Sequence, residues 1–165
     1  MSQLQWQMQS SIGAIFLIAS DKGLQGVFLK QQTIQMTKSL KNKTPATCIL
    51  ADTTKQLEEY FAGKRNDFDL PFDIEGTVFQ TQVWKALSKI PYGKTVSYSD
   101  IAKKINNPKA VRAVGSANGK NPLCIIVPCH RVIAADGTLG GYSGGLDIKT
   151  KLLELERFFI KNKYC

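Results

Sequence analysis

In the stretch IIVPCHRVI, residues 125–133, Cys129 stands beside His130, the only histidine of the chain. A thiolate is a strong nucleophile, and imidazole is the side chain whose ordinary pKa lies nearest neutrality. Together they suit nucleophilic displacement assisted by a base. Adjacency alone does not join them. Neighbours on an extended strand point to opposite faces, so contact needs a bend or a bridging water. Buried cysteines are also most often inert filler. On this stretch alone, nucleophile and core packing both stay open. Pro128 cannot donate to a sheet ladder, so a run that reads as a core strand turns irregular just before the cysteine.

The segments that follow must position this pair. Residues 137–145, GTLGGYSGG, predict a loop whose backbone approaches a ligand closely, with Tyr142 and Ser143 as its central side chains. A helix is predicted over residues 147–159. Glu156 lies among its apolar positions Leu152, Leu153, Leu155 and Phe159. A carboxylate there is either a surface charge or the partner of a buried cation, and His130 needs an orienting group.

Upstream, residues 77–90 read as a helix with Val78, Val83, Leu87 and Ile90 on its apolar side, broken at Pro91. Residues 97–105 read as a short helix. Asn107 is expected as N-cap and Pro108 as first residue of the next helix, which runs to about Gly119. Two short helices around a three-residue turn make a helix-turn-helix pattern. On the second helix Val111, Val114 and Asn118 are expected to face inward. Lys109, Arg112, Ala113 and Ser116 share another face. Cations with small residues suit a helix pressed on a nucleic-acid backbone, and tight packing on protein is the alternative.

The charge is unevenly placed. The chain of 165 residues carries a net +9. Residues 1–75 hold eight Lys/Arg against eight Asp/Glu, and residues 76–165 hold fourteen against five. A basic half favours a polyanionic partner over a merely solvated face. The first half reads as three short strands, LQWQMQ, GAIFLIAS and LQGVFLK, with a turn at Asp21-Lys22-Gly23. Gln3, Gln5, Gln7 and Gln9 alternate with Leu4, Trp6 and Met8, which predicts one wet face. Residues 52–62 are expected to form a helix starting at Asp52 and ending before Gly63.

The fold class is therefore two-domain α/β. Residues 1–75 are expected to form an α+β supporting domain with a small antiparallel sheet and a helix. Residues 76–165 are expected to form a mostly helical domain with a helix-turn-helix. Cys48, Cys124, Cys129 and Cys165 are scattered, with no CxxC pair, so neither a disulfide framework nor a zinc site is expected. Residues 12–19 are apolar, but no Lys or Arg precedes Lys22, so no signal peptide is expected and the protein is expected to be cytoplasmic. No run approaches the ~18 apolar residues of a membrane span.

The ordered set Tyr98, AVRAVGSA with Arg112, Asn121-Pro122, Pro128-Cys129-His130-Arg131-Val132, YSGG from Tyr142, and Glu156 resembles the O6-alkylguanine-DNA alkyltransferases. The likeness covers residues 76–156 well and the first half loosely. It implies transfer of an alkyl group from a flipped guanine of duplex DNA to Cys129, once and irreversibly. His130 would act as base through a water, oriented by Glu156. Asn121 would brace the site, and Tyr98 would donate a proton to guanine N3. Ser143 would face guanine O6, beside Tyr142. The main chain at Cys129 and Val132 would read the exocyclic amine. Arg112 would enter the stack, with Lys109, Ala113 and Ser116 on the DNA. The resemblance implies no cofactor and a monomer; some relatives hold a structural zinc in the first domain, but with His130 the only histidine no metal is expected here, and no membrane partner is expected. Relatives that bind DNA without repair carry tryptophan where this chain keeps Cys129. Two other classes stand beside this one. A Cys-His hydrolase would give the basic helices no role, and a DNA-binding regulator would leave an alkylated oligonucleotide unchanged.

Overall fold

The computed structural model describes residues 3–163. The chain divides into two compact units, Met1–Glu75 and Gly76–Cys165. In the first, strands β1 (Leu4–Ser10), β2 (Gly13–Ala19) and β3 (Leu24–Phe28) form an antiparallel sheet in the order β1-β2-β3. Gly13, at φ +104°, turns the first hairpin in a conformation that side chains disfavour. Ile15, Leu17 and Leu24 are fully buried. Gln5 is not on a wet face: it is buried because its amide holds the incoming chain. Its Nε2 donates to the carbonyls of Gln32 (2.9 Å) and Ile34 (3.0 Å), and its Oε1 accepts from the Gln32 amide.

Helix α1 spans Pro45–Phe61 and begins seven residues before the expected Asp52, which lies inside it. Thr44 caps it through a reciprocal box with Thr47, and Pro45 sits in the first turn, where its missing N–H costs nothing. Ala46 and Leu50 extend the buried stripe back from Leu57 and Tyr60.

The second unit is mostly helical. Helix α2 (Val78–Leu87) is boxed by Thr77 and Gln80. Val78 departs from its expected inward place and is 79% exposed, while Trp84 is buried and donates to the Ala117 carbonyl at 2.9 Å. A two-residue strand β4 (Val96–Ser97) pairs in parallel with β5 (Val132–Ile133). Ser97 also caps helix α3 (Tyr98–Lys104) with Asp100.

Helix α4 covers Val111–Gly119 and packs on α3. Asn107 and Pro108 do not cap it. Asn106 sits at φ +59° and the Ala110 amide bonds the Asn107 carbonyl, so residues 105–110 form a longer turn than the three residues expected. Val111, expected inside, is exposed, and Val114 and Asn118 are buried. Helix α5 spans Leu146–Lys161 and buries Lys149, Leu152, Leu153 and Glu156 on one face. Among the described residues no helix is long and apolar enough to cross a membrane, and no group of metal-ligating side chains is gathered.

Candidate active site

The segment before Cys129 is a tight reversal rather than a strand. Asn121 Nδ2 donates to the Val127 carbonyl at 2.8 Å, and its Oδ1 accepts from the Leu123 amide at 3.0 Å. The amides of Ile126 and Val127 bond the carbonyls of Cys124 and Leu123, and Ile125 takes φ +73°, a strained value for a branched residue. The chain then enters a 3-10 turn over Cys129–Arg131.

This reversal brings Cys124 to Cys129, a contact the sequence did not reveal. Both thiols are buried and near enough for each to shift the other's titration, and the Tyr142 hydroxyl donates to Cys124 Sγ at 3.6 Å. The pair titrates as a unit. Cys129, countered by burial, draws Cys124 down to about 7. Cys124 and burial push Cys129 up, and Asn121 and Tyr142 pull it back. The first proton therefore leaves the pair below the ordinary thiol range.

His130 is fully buried, and its Nε2 lies 2.5 Å from Glu156 Oε2. Arg131 grips the same carboxylate, with Nε 2.8 Å from Oε1 and Nη2 3.1 Å from Oε2. Its Nη1 donates to the Ile90 carbonyl, and the Gly93 amide donates to Glu156 Oε1. Burial alone would raise the Glu156 carboxyl, but the His130 bond and the His130 and Arg131 charges hold it at about 2. Burial lowers His130 against the pull of Glu156. A neutral ring that gives its Nε2 hydrogen to a carboxylate keeps its lone pair on Nδ1. Nδ1 is buried without a hydrogen-bond partner, so imidazole and thiol do not touch directly.

Beside this network lies a cavity of about 460 Å³ lined by Tyr98, Gly115, Asn118, Gly141, Tyr142 and Ser143. Tyr98 rests against Gly140, where an added methyl would meet the ring at 3.1 Å, and its hydroxyl reaches the Gly141 carbonyl at 3.5 Å. Burial and a charge on Cys129 raise the Tyr98 phenol, so it stays protonated at neutral pH. Lys149 is fully buried and donates from Nζ to the carbonyls of Val132 (2.7 Å), Leu139 (2.5 Å) and Gly141 (3.1 Å). It ties the glycine loop to β5 and sits 5.9 Å from the Tyr98 ring centre. Its signal was in the sequence, since Lys149, Leu152, Leu153 and Glu156 follow one helical stripe.

Cys129, His130, Glu156 and Asn121 thus meet in the interior, with Val132 buried beside them. Tyr98, Tyr142 and Ser143 line the cavity. Lys109, Arg112, Ala113 and Ser116 are all exposed, Lys109 in the turn before α4 and the others on it. Arg131, Lys149 and Cys124 join the site without having been singled out.

Two family models match. The DNA binding domain of 6-O-methylguanine DNA methyltransferase covers residues 78–158, and its ribonuclease-like domain covers residues 7–74. A methylated-DNA–protein-cysteine methyltransferase of Methanosarcina acetivorans is 50% identical over 151 residues, 90% of this chain and 94% of that one. A constitutive one of Bacillus subtilis is 44% identical over 158 residues, 94% of this chain and 96% of that one. The crystal structure of Mycobacterium tuberculosis OGT in complex with DNA superposes with a TM-score of 0.82 at 46% identity, covering 94% of each chain. Likeness of this extent, running through both units, makes the chain a member of the methylated-DNA–protein-cysteine methyltransferase family.

Proposed function

We propose that this chain repairs O6-alkylguanine in duplex DNA by moving the alkyl group, once, to Cys129 Sγ. The observation that carries the reading is the buried Cys129 beside a neutral His130 whose other nitrogen is fixed by Glu156. A base held in the cavity meets the thiol where bulk water does not compete. His130 Nδ1 takes the thiol proton through a water. The sulfur attacks the alkyl carbon in line, a C–S bond forms, and the bond from that carbon to O6 breaks. The electron pair goes to the leaving purine, which Tyr98 neutralises with a proton at N3. Ser143 serves O6, and the main chain at Cys129 and Val132 faces the amine. No step releases the thioether, so each molecule acts once, and none needs a cofactor or a metal.

The exposed face with Arg112, Lys109, Ala113 and Ser116 suits docking on duplex DNA, with Arg112 filling the gap left by the flipped base. The basic second unit carries binding and transfer, and the first unit supports it. We place the protein in the cytoplasm, where thiols stay reduced, and read it as a monomer. The test is incubation with duplex containing O6-methylguanine, followed by intact and peptide mass measurement. One added methyl on the Cys129 peptide supports the reading, and unchanged protein with DNA still bound would point to a regulator.

A further inference from the structure

We propose that Asn118 Oδ1 is a specificity-determining acceptor that takes a hydrogen from the exocyclic amine of the flipped base; this rests on the reading above. Asn118 is 4% exposed, on the buried side of α4, and lines the cavity opposite the glycine loop. Its Nδ2 approaches the Cys129 carbonyl at 3.4 Å. That contact orients the amide, since exchanging nitrogen and oxygen would set two acceptors against each other. Oδ1 is then left buried with no partner. A buried acceptor without a donor is costly and uncommon in native proteins, and at a cavity wall it points to a bound donor.

The chemistry of the base limits what that donor is. Alkylation at O6 removes the hydrogen from N1, so N1, N3, N7 and O6 all present lone pairs. The exocyclic amine alone carries N–H hydrogens. The main-chain acceptors at Cys129 and Val132 face the same amine, but each already carries a bond within the protein. The Cys129 carbonyl accepts from the Val132 amide and faces Asn118 Nδ2, and the Val132 carbonyl accepts from Lys149 Nζ. Asn118 Oδ1 keeps its full capacity, on a residue that lines the cavity. Because its own amide points at the Cys129 carbonyl, binding of the amine also reports to the backbone of the nucleophile.

The experiment compares single-turnover transfer from duplexes carrying O6-methylguanine and O6-methylhypoxanthine, which lacks the amine. Wild-type protein is expected to favour the guanine by roughly ten-fold, the scale of one buried acceptor left unpaired. Asn118→Leu, close in shape but apolar, is expected to bring the ratio towards one, and Asn118→Met to do the same should leucine fold poorly. A melting curve on each variant accompanies the rates. Equal loss on both substrates would overturn the proposal and reduce Asn118 to a support for the Cys129 carbonyl. Equal wild-type rates on both would overturn it without any variant. No transfer by wild type from either duplex would sink the repair reading, and the proposal with it, and is distinguished by the methyl count on Cys129.

Discussion

His130 Nε2 and Glu156 Oε2 lie 2.5 Å apart in the interior of the second unit, and Arg131 closes the other side of the same carboxylate. One carboxylate thus orients the imidazole and balances a buried guanidinium. Glu156→Gln is expected to abolish that balance and to destabilise by about 3–5 kcal/mol, the usual result of stranding one member of a buried pair. Calorimetry should show a fall of roughly 10 °C in Tm. The wild-type pH dependence carries the same signature. The folded carboxyl sits at about 2, below its ordinary 4.5, so its stabilisation is complete above the ordinary value and is lost as pH falls from there towards 2. A Tm insensitive to pH across that window would argue against the pairing.

Cys129→Ser is expected to eliminate transfer and leave DNA binding, because an alcohol is a far poorer nucleophile than a thiolate at neutral pH. Transfer at the wild-type rate would remove Cys129 from its role. Cys48→Ser is expected to be silent, and so is Cys165→Ser, although Cys165 lies outside the described residues. Cys124→Ser is expected to keep transfer but to move the rise of rate with pH to lower pH. Cys124 opposes ionisation of Cys129, in part through its charge, and serine removes the charge. An unshifted pH profile would show that the two thiols titrate independently.

Arg112→Ala is expected to slow repair in duplex DNA by about ten-fold or more, while reaction with free O6-benzylguanine changes little. Nothing has to be unstacked when the base arrives alone. Since Arg112 is exposed, its loss carries no packing penalty. Matching losses on both substrates would assign it to the pocket or the fold.

Alkylation of Cys129 is expected to lower Tm. Cys129 is 2% exposed and has Cys124, Asn121 and Tyr142 as polar neighbours, so a methyl adds volume where there is little. Overpacking typically costs about 1–3 kcal/mol, and each kcal/mol is worth roughly 2–4 °C in a chain of this size. Melting curves on protein carrying one methyl by mass, beside unreacted protein, decide the matter. An unchanged or raised Tm would mean that the site has room for its product.

The hairpins were legible because alternation and turn residues agree there, and only Gln5 misled, since its burial depends on a loop thirty residues away. The start of α1 was misread. Asp52 resembles a cap, but the earlier start at Thr44-Pro45 has its own cap and first-turn proline, and Ala46 and Leu50 carry the stripe back to it. Asn107-Pro108 failed for a similar reason: the pair suits a cap, but the turn opened by Asn106 uses it otherwise. In the site, a lone histidine, a proline-cysteine pair and a carboxylate on an apolar stripe were all visible. Lys149 lay on that same stripe but was passed over, because long cations are rarely buried, and Arg131 is explained only by its carboxylate partner. The Cys124–Cys129 contact depends on a reversal, whereas the pattern IIVPC reads as extended.

Helix α5 carries on one buried stripe both the lysine that ties the glycine loop and the glutamate that holds His130 and Arg131. Wall and chemistry therefore share a single mechanical fuse. If α5 lifts, three carbonyls lose their donor, the imidazole loses its anchor, and Leu152 and Leu153 meet water in the same event. A molecule whose product overfills the site is therefore expected to lose pocket and chemistry together rather than one without the other, and to expose apolar helix surface as it does so.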